Sequence, residues 1–347
     1  HFWLADGSNH FCECEDCQEM RPADYYVMML NELDAALSAR GLPTRIVFII
    51  YVDLLWPPAE QRIHNSERFV MMFAPLHRPY FARFDPKERQ EAIPPFVLNK
   101  LTFKEGQNLN HLAGWQQVFD GDSLVFDYRF MWGQYDDPGH AEIARIVDAD
   151  TPTLAKVGLN GMISDQSQRV FMPSGFPMAV LAHRLWGSDD GYEALADDHF
   201  AAAFGAEGDL CRRYLEQLSE LFQARWLSEY TISAETAVPP GVLAGLQTVP
   251  EKIAEFLPSI ERNRVLDQPV HARSWEILHQ HAQLCRVLAL AIAAELEGER
   301  DQAAAHWREM ELRLVEQEGE IHQVYDVFLF LLSMRRKYRI PQIVGME

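Results

Sequence analysis

From Arg45 to Val52 the chain runs Arg-Ile-Val-Phe-Ile-Ile-Tyr-Val and then meets Asp53. Apart from its opening arginine, the run offers no polar side to water. It fits a strand buried on both faces, as in parallel sheets. Parallel strands need long crossover connections, usually helices, and the flanking sequence supplies them. Ala23 to Arg40 places Tyr26, Met29, Leu30, Leu33 and Leu37 at helical spacing, and Gly41 stops it. Phe69 to Phe73 is another buried-strand run. Leu109 to Phe119 reads as a helix, Leu124 to Phe130 as a strand, Ala141 to Val147 as a helix, and Val157 to Ile163 as a short strand with two glycines. Adding the short apolar stretch His1–Asp6 gives five strands alternating with helices, an α/β pattern with a parallel sheet.

After about residue 172 the strand signals stop. Phe176 to Trp186, Tyr192 to Phe204, Asp209 to Tyr230, Val242 to Val265, Ser274 to Glu297 and Arg300 to Tyr338 carry helical spacing, with breaks expected at Pro239-Pro240 and Gly319. The expected organisation is therefore an α/β portion over 1–172 and an all-helical region over 173–347. With 347 residues, 48% of them hydrophobic, the chain can build cores of ordinary size.

Charge narrows the partners. A net charge of −20 repels a phosphate backbone, so nucleic acid is not an expected partner. The one dense basic run, Arg335, Arg336, Lys337 and Arg339, suits a helix C-terminus. No apolar run reaches the ~20 residues of a membrane span, and Val287 to Ala294 reads as a buried helix. A soluble protein, cytoplasmic or secreted, is expected. The abrupt opening His1-Phe2-Trp3-Leu4 looks like mid-strand, which raises the expectation of further sequence upstream.

In parallel α/β folds the chemistry gathers at the C-terminal ends of the strands. Here those ends carry Asp6, then Tyr51, Asp53 and Trp56, then His77 and Arg78, then Asp127, Tyr128 and Trp132, then Asp165. Acids flanked by aromatics suit a sugar: rings stack on its apolar faces while carboxylates and Asn side chains, Asn160 among them, bond its hydroxyls. Glycoside cleavage typically needs two carboxylates across the scissile bond. Asp6, Asp165 and Asp127 are the candidates, and for any single one the plainer role of helix cap or Asx turn competes. His77-Arg78-Pro79-Tyr80 suits an anionic group such as a uronate, with Arg78 bidentate, or an ordinary loop salt bridge. The stretch Trp132 to Pro138 is polar and glycine-bearing, and reads as a site loop.

Cys12, Cys14 and Cys17 form C-x-C-x2-C. Three readings stay open: thiolates sharing a soft metal ion, with His10, Asp16 or another group as fourth ligand; a disulfide between two of them; or a turn packed with small thiols. Cys211 and Cys285 fall in helical patterns and read as core. So do His279 and His281, which sit two apart on a helix.

Asp6-Gly7, the cysteine motif, Asn31, the Tyr51 strand with Pro57-Pro58, Trp115 ahead of Asp127-Tyr128, and the Gly158–Asp165 segment stand in an order that resembles the DUF4838 family over about residues 1 to 205. The resemblance implies a (β/α)8 TIM-type barrel similar to that of α-glucuronidase-like and hexosaminidase-like glycoside hydrolases. It further implies that the first barrel strands lie upstream of His1 and that a helical region follows. It favours Asp6 and Asp165 as active-site acids. In a hydrolase Asp6 is expected to protonate the leaving oxygen, Asp165 or Asp127 to serve as nucleophile or base, and no cofactor to be required. Where the family often carries Glu, this chain has Ser164-Asp165-Gln166. A non-catalytic carbohydrate-binding protein on a degenerate barrel is the alternative.

Overall fold

The computed structural model describes residues 1–7, 9–76, 78–97, 108–167, 169–229, 238–338 and 340. The chain divides into two compact units that interleave in sequence: His1–Tyr128 with Pro152–Asp165, and Arg129–Thr151 with Gln166–Glu347. A single cut after 172 therefore does not separate them.

The first unit holds a four-stranded parallel sheet, β1 (Ile46–Tyr51), β2 (Phe69–Ala74), β3 (Asp122–Asp127) and β4 (Met162–Ser164), in the order β1-β2-β3-β4. The fifth expected strand is reduced to one parallel bridge, Phe2 beside Phe48, with Phe2 N–H donating to the Val47 carbonyl at 2.9 Å. β4 is shorter than expected, because Val157 and Leu159 are instead buried in the helix-side core.

Side-chain alternation splits the sheet into two faces. Ile46, Phe48 and Ile50, with Phe69, Met71 and Phe73, pack with Val125 into the main core. Covering residues come from α2 (Pro22–Ala39) and α3 (Asn108–Gln116), which follow the four-residue α1 (Glu15–Gln18). α2 buries Ala23, Tyr26, Val27 and Leu30, the i, i+3, i+4, i+7 set its sequence dictates. It ends where Gly41, at φ +66°, donates back to the Ser38 carbonyl. Its N-terminus is tied down by Asp24, whose carboxylate accepts the backbone N–H groups of Arg21, Ala59, Glu60 and Gln61 at 2.8–3.1 Å. The other face is smaller: Ile49, Met72, Ala74 and Tyr128, bordered by Val47, Tyr51, Leu76, Tyr80, Leu124 and Phe126.

The second unit is helical. α4 (Ala141–Lys156), which runs across the unit boundary with Pro152 in its interior, is followed by α5 (Phe176–Trp186), α6 (Tyr192–Phe204), α7 (Gly208–Phe222), α8 (Ala224–Glu229), α9 (Pro240–Asn263), α10 (Pro269–Glu297), α11 (Arg300–Ile321) and α12 (Val327–Tyr338). The expected interruption of the last long helix falls at 322–326 rather than at Gly319, where Val324 and Tyr325 both donate to the Ile321 carbonyl. By length and composition α10 could cross a membrane, but its apolar stretch is 67% buried inside the protein. It is the core helix, packed against α9 and α11, with Trp275 donating to the Phe204 carbonyl at 2.9 Å.

α4 starts beside Asp137, a fully buried carboxyl that accepts Ile143 N–H at 2.9 Å and the Ser219 hydroxyl. Two residues on, Gly139 lies against α7: a Cβ there would sit 1.9 Å from the Leu215 carbonyl oxygen and 2.4 Å from Ser219 Oγ. Backbone cannot step aside, so Gly139→Ala is expected to destabilise the protein by about 2–4 kcal/mol. Thermal unfolding within a degree of wild type would disprove that close approach.

Burial holds three histidines neutral: His140 at about 3, His281 at about 4 and His111 at about 4. In the unfolded chain each titrates near ~6.5. Between those values the unfolded chain binds more protons, so their contribution to stability is present at neutral pH and is lost as pH falls. Asp137, raised to about 6 by burial, acts in the opposite sense, as do the buried carboxyls of Asp53 and Glu88. The clean measure is a difference. Between pH 6.5 and 5 the wild type should lose roughly 2 kcal/mol more stability than a His281→Gln variant. Parallel denaturant titrations giving equal losses would show that His281 is not held neutral.

Candidate functional site

The site is built at the C-terminal ends of the strands, on the smaller face of the sheet. The register aligns Tyr51 with Ala74, and Asp127 with Ser164. Side-chain period two then sorts the acids. Leu124, Phe126 and Tyr128 share the smaller face, which turns Asp127 to the opposite side with Val125, where it is buried. Two residues beyond the Phe126–Ile163 pair, and so back on the same face, Tyr128 and Asp165 fall on the smaller face together. The Asp165 N–H donates to the Asp127 carbonyl at 2.7 Å, which carries the strand pairing past the end of β4.

Asp6 arrives from the segment bridged to β1. The Tyr51 hydroxyl donates to its Oδ1 at 3.3 Å. Gly7 turns the chain at φ +88°, and Asn9 fastens the turn by donating from its backbone and its side chain to the Asp53 carboxylate at 2.9–3.2 Å. Between Tyr51 and Asp53 lies Val52 at φ +52°, a left-handed conformation that a β-branched residue resists. Strain of this kind persists only where the surrounding structure enforces it. Here it turns the chain sharply between the site tyrosine and the carboxylate that holds the Asp6 loop.

The electrostatics follow from this layout. Partial burial, and then the Asp6 charge, hold the Asp165 carboxyl above its ordinary range. The Tyr51 phenol is raised by burial and by the charge of, and hydrogen bond to, Asp6, with Asp165 contributing. Tyr128, more deeply buried, is raised as well, and it feels Tyr51, Tyr80, Asp165 and Asp6. These five residues form one electrostatic neighbourhood: two carboxylates and three phenols. Tyr80, whose hydroxyl donates to the Leu76 carbonyl at 3.0 Å, comes from the His77-to-Tyr80 stretch that the sequence assigns to an anionic group, six residues beyond β2.

Other expected residues have different places. Asp53 is buried and holds Asn9. Trp56 is a core residue, donating to the Pro94 carbonyl at 2.7 Å with its ring 4.7 Å from His111. Arg78 is buried, its guanidinium 3.6 Å over the Phe84 ring and donating to the Ala82 carbonyl. His77 lies outside the described residues. Asn160 is at the opposite end of the sheet, bonded to Asp122 at the start of β3 at 3.1 Å. Trp132 belongs to the second unit, half-buried, with Arg336 5.8 Å from its ring. The stretch after it is a 3-10 turn with Gln134, Tyr135 and Asp137 buried, so it is core of that unit rather than an open loop.

The Sγ atoms of Cys12, Cys14 and Cys17 all lie within 4.8 Å of one another, and the three thiols are free. Cys14 is lowered, chiefly by the Cys17 backbone N–H, and Cys17 is pushed up to about 11 by hydrogen bonds with Cys14 and Cys12. Cys211 and Cys285 are buried, the latter with its sulfur 3.3 Å from His281 Nε2. No protein family, curated protein or solved structure matches this chain.

Proposed function

We propose that the C-terminal end of the sheet cleaves a glycosidic bond. Asp165 protonates the leaving oxygen as the bond to the anomeric carbon breaks. Asp6 acts on the opposite side, as nucleophile or as base for the water whose oxygen replaces the leaving group. This exchanges the roles expected from sequence, and the observation that carries it is the raised carboxyl of Asp165 beside the Asp6 charge. When two acids share a site, the one pushed upward is the better proton donor. The separation the pair takes on substrate would set the outcome, ~5–5.5 Å for retention and ~6.5–9.5 Å for inversion. Tyr51, Tyr80 and Tyr128 give the sugar an aromatic wall with hydroxyls at its edge.

We further read the sheet as the later part of a (β/α)8 barrel. Its strand order follows the sequence without reversal, as winding around a barrel requires, whereas a doubly wound sheet reverses at a switch point. The small tyrosine-bearing face would be the barrel interior. In this reading no cofactor takes part in bond cleavage, and an ion at the cysteines is structural.

A second reading is a carbohydrate-binding protein that does not hydrolyse. The internal commitments of Asp53, Trp56 and Arg78 favour it, because they thin the set of groups left to grip a substrate, and a uronate loses its expected cation. Hydrolysis of a panel of aryl glycosides and glucuronides, run beside glycan-binding assays, separates the two. Turnover supports the first reading, binding alone the second, and neither rejects both.

A further inference from the structure

Residues 11 to 19 read Phe-Cys-Glu-Cys-Glu-Asp-Cys-Gln-Glu. Nothing in this segment is driven together by apolar burial: α1 has no buried residue, and Cys12 and Cys14 are exposed. Yet three sulfurs converge to within 4.8 Å of one another. Polar bonds hold them there. The Cys17 and Gln18 N–H groups both donate to the Cys14 carbonyl at 3.1 Å, Gln18 donates to the Glu13 carbonyl, and the Tyr25 hydroxyl reaches the Cys17 carbonyl at 3.3 Å. Tetrahedral thiolates around a zinc-sized ion, with metal–sulfur bonds of about 2.3 Å, sit about 3.8 Å apart. The cluster needs to tighten by no more than about an ångström to reach that spacing.

The surroundings choose between the uses of such thiols. A nucleophilic or redox-active cysteine is activated by nearby positive charge. Here the same segment carries Glu13, Glu15, Asp16 and Glu19, while the guanidinium of Arg21 donates to the Pro57 carbonyl. Acidic company discourages bare thiolates and favours a cation among them. Among the described residues, neither His10 nor Asp16 joins the sulfurs within that distance of one another.

We propose that Cys12, Cys14 and Cys17 bind one soft-to-borderline divalent ion of the zinc type as three thiolates, with the fourth position taken by water or an added thiol. Binding one ion releases the three thiol protons and leaves the cluster with a net charge of −1. The site is independent of the glycosidase reading, and either can fail alone.

The test uses the full chain, purified without chelator and assayed for metal by elemental analysis. One ion per chain is expected. After its removal, cobalt(II) should give the sulfur-to-metal charge-transfer band and strong ligand-field bands of a tetrahedral thiolate site. Each single Cys→Ser change should weaken binding by at least about 10–100-fold, the loss that an outer partner alone causes. Because α1 buries nothing, circular dichroism of these variants should match wild type. A cobalt spectrum without charge transfer, an ion retained when all three cysteines are serine, or a pair of them found disulfide-bonded by mass spectrometry in freshly purified protein would overturn the proposal. The cobalt titration of wild-type protein decides even if a variant fails to fold.

Discussion

Asp165→Asn is expected to slow hydrolysis of a glycoside with a poor leaving group by on the order of 10²–10⁴-fold, the usual worth of a positioned general acid. An activated aryl leaving group departs without protonation, so the same variant should lose far less on that substrate. Asp6→Asn should lose activity on both, because its attack or base role is needed whatever departs. The pH profile adds a second readout. Asp165 works protonated, so the alkaline limb of kcat/KM reports its ionisation, which burial and then the Asp6 charge displace upward. Removing that charge in Asp6→Asn should move the limb of the residual activity to lower pH. Equal losses of Asp165→Asn on both leaving groups, with an unmoved limb, would take the proton away from Asp165. Asp6 is exposed and Asp165 half-buried, and both are isosteric with asparagine, so thermal unfolding should stay near wild type and separate chemistry from folding.

The largest stability effect expected lies in the second unit. Arg129 and Asp150 form an ion pair at 3.0 Å with both side chains 1% exposed. Asp150→Ala strips a buried guanidinium of this carboxylate and is expected to cost about 3–5 kcal/mol. The pair itself is worth much less than that figure, because two desolvated charges largely offset their own attraction. Arg129→Met with Asp150→Leu should therefore recover most of the loss. Chemical denaturation of the two variants and wild type measures both. A double variant as unstable as Asp150→Ala would mean that the site needs the charges and not merely the volume.

Much of the sheet was legible because a short β-branched and aromatic run without polar alternation marks a parallel strand, as Ile46 to Tyr51 does, with only Val47 and Tyr51 half-buried. Helix faces were legible for the same reason: in α7, Cys211, Tyr214, Leu215, Leu218 and Phe222 fall on one side by spacing alone. The site was half legible. Strand ends grouped the acids by position along the sheet, but only face parity separates Asp165, which joins Asp6, from Asp127, which turns to the core, and parity depends on where a strand truly starts. Trp56 and Arg78 misled because an aromatic or a cation beyond a strand end looks alike whether it faces a cleft or folds back on Pro94 or Phe84. The stretch after Trp132 misled in another way. Polar groups can be core when they find a partner, as the Gln134 side-chain N–H does in donating to Ser167 Oγ at 3.0 Å.

The interleaving of the two units bears on how the chain folds as it is made. During synthesis a domain generally folds as a unit once its residues have emerged. The sheet unit is incomplete until β4 and Asp165 leave the ribosome, by which time residues 129–151 have already appeared. Those residues include Ile143, Ala144 and Val147, all fully buried in the finished protein, and they belong with helices still to be translated. For that interval a nascent chain carries an apolar helix face with nothing to cover it, which is the kind of surface that chaperones bind and that fragments ending near 172 would expose permanently.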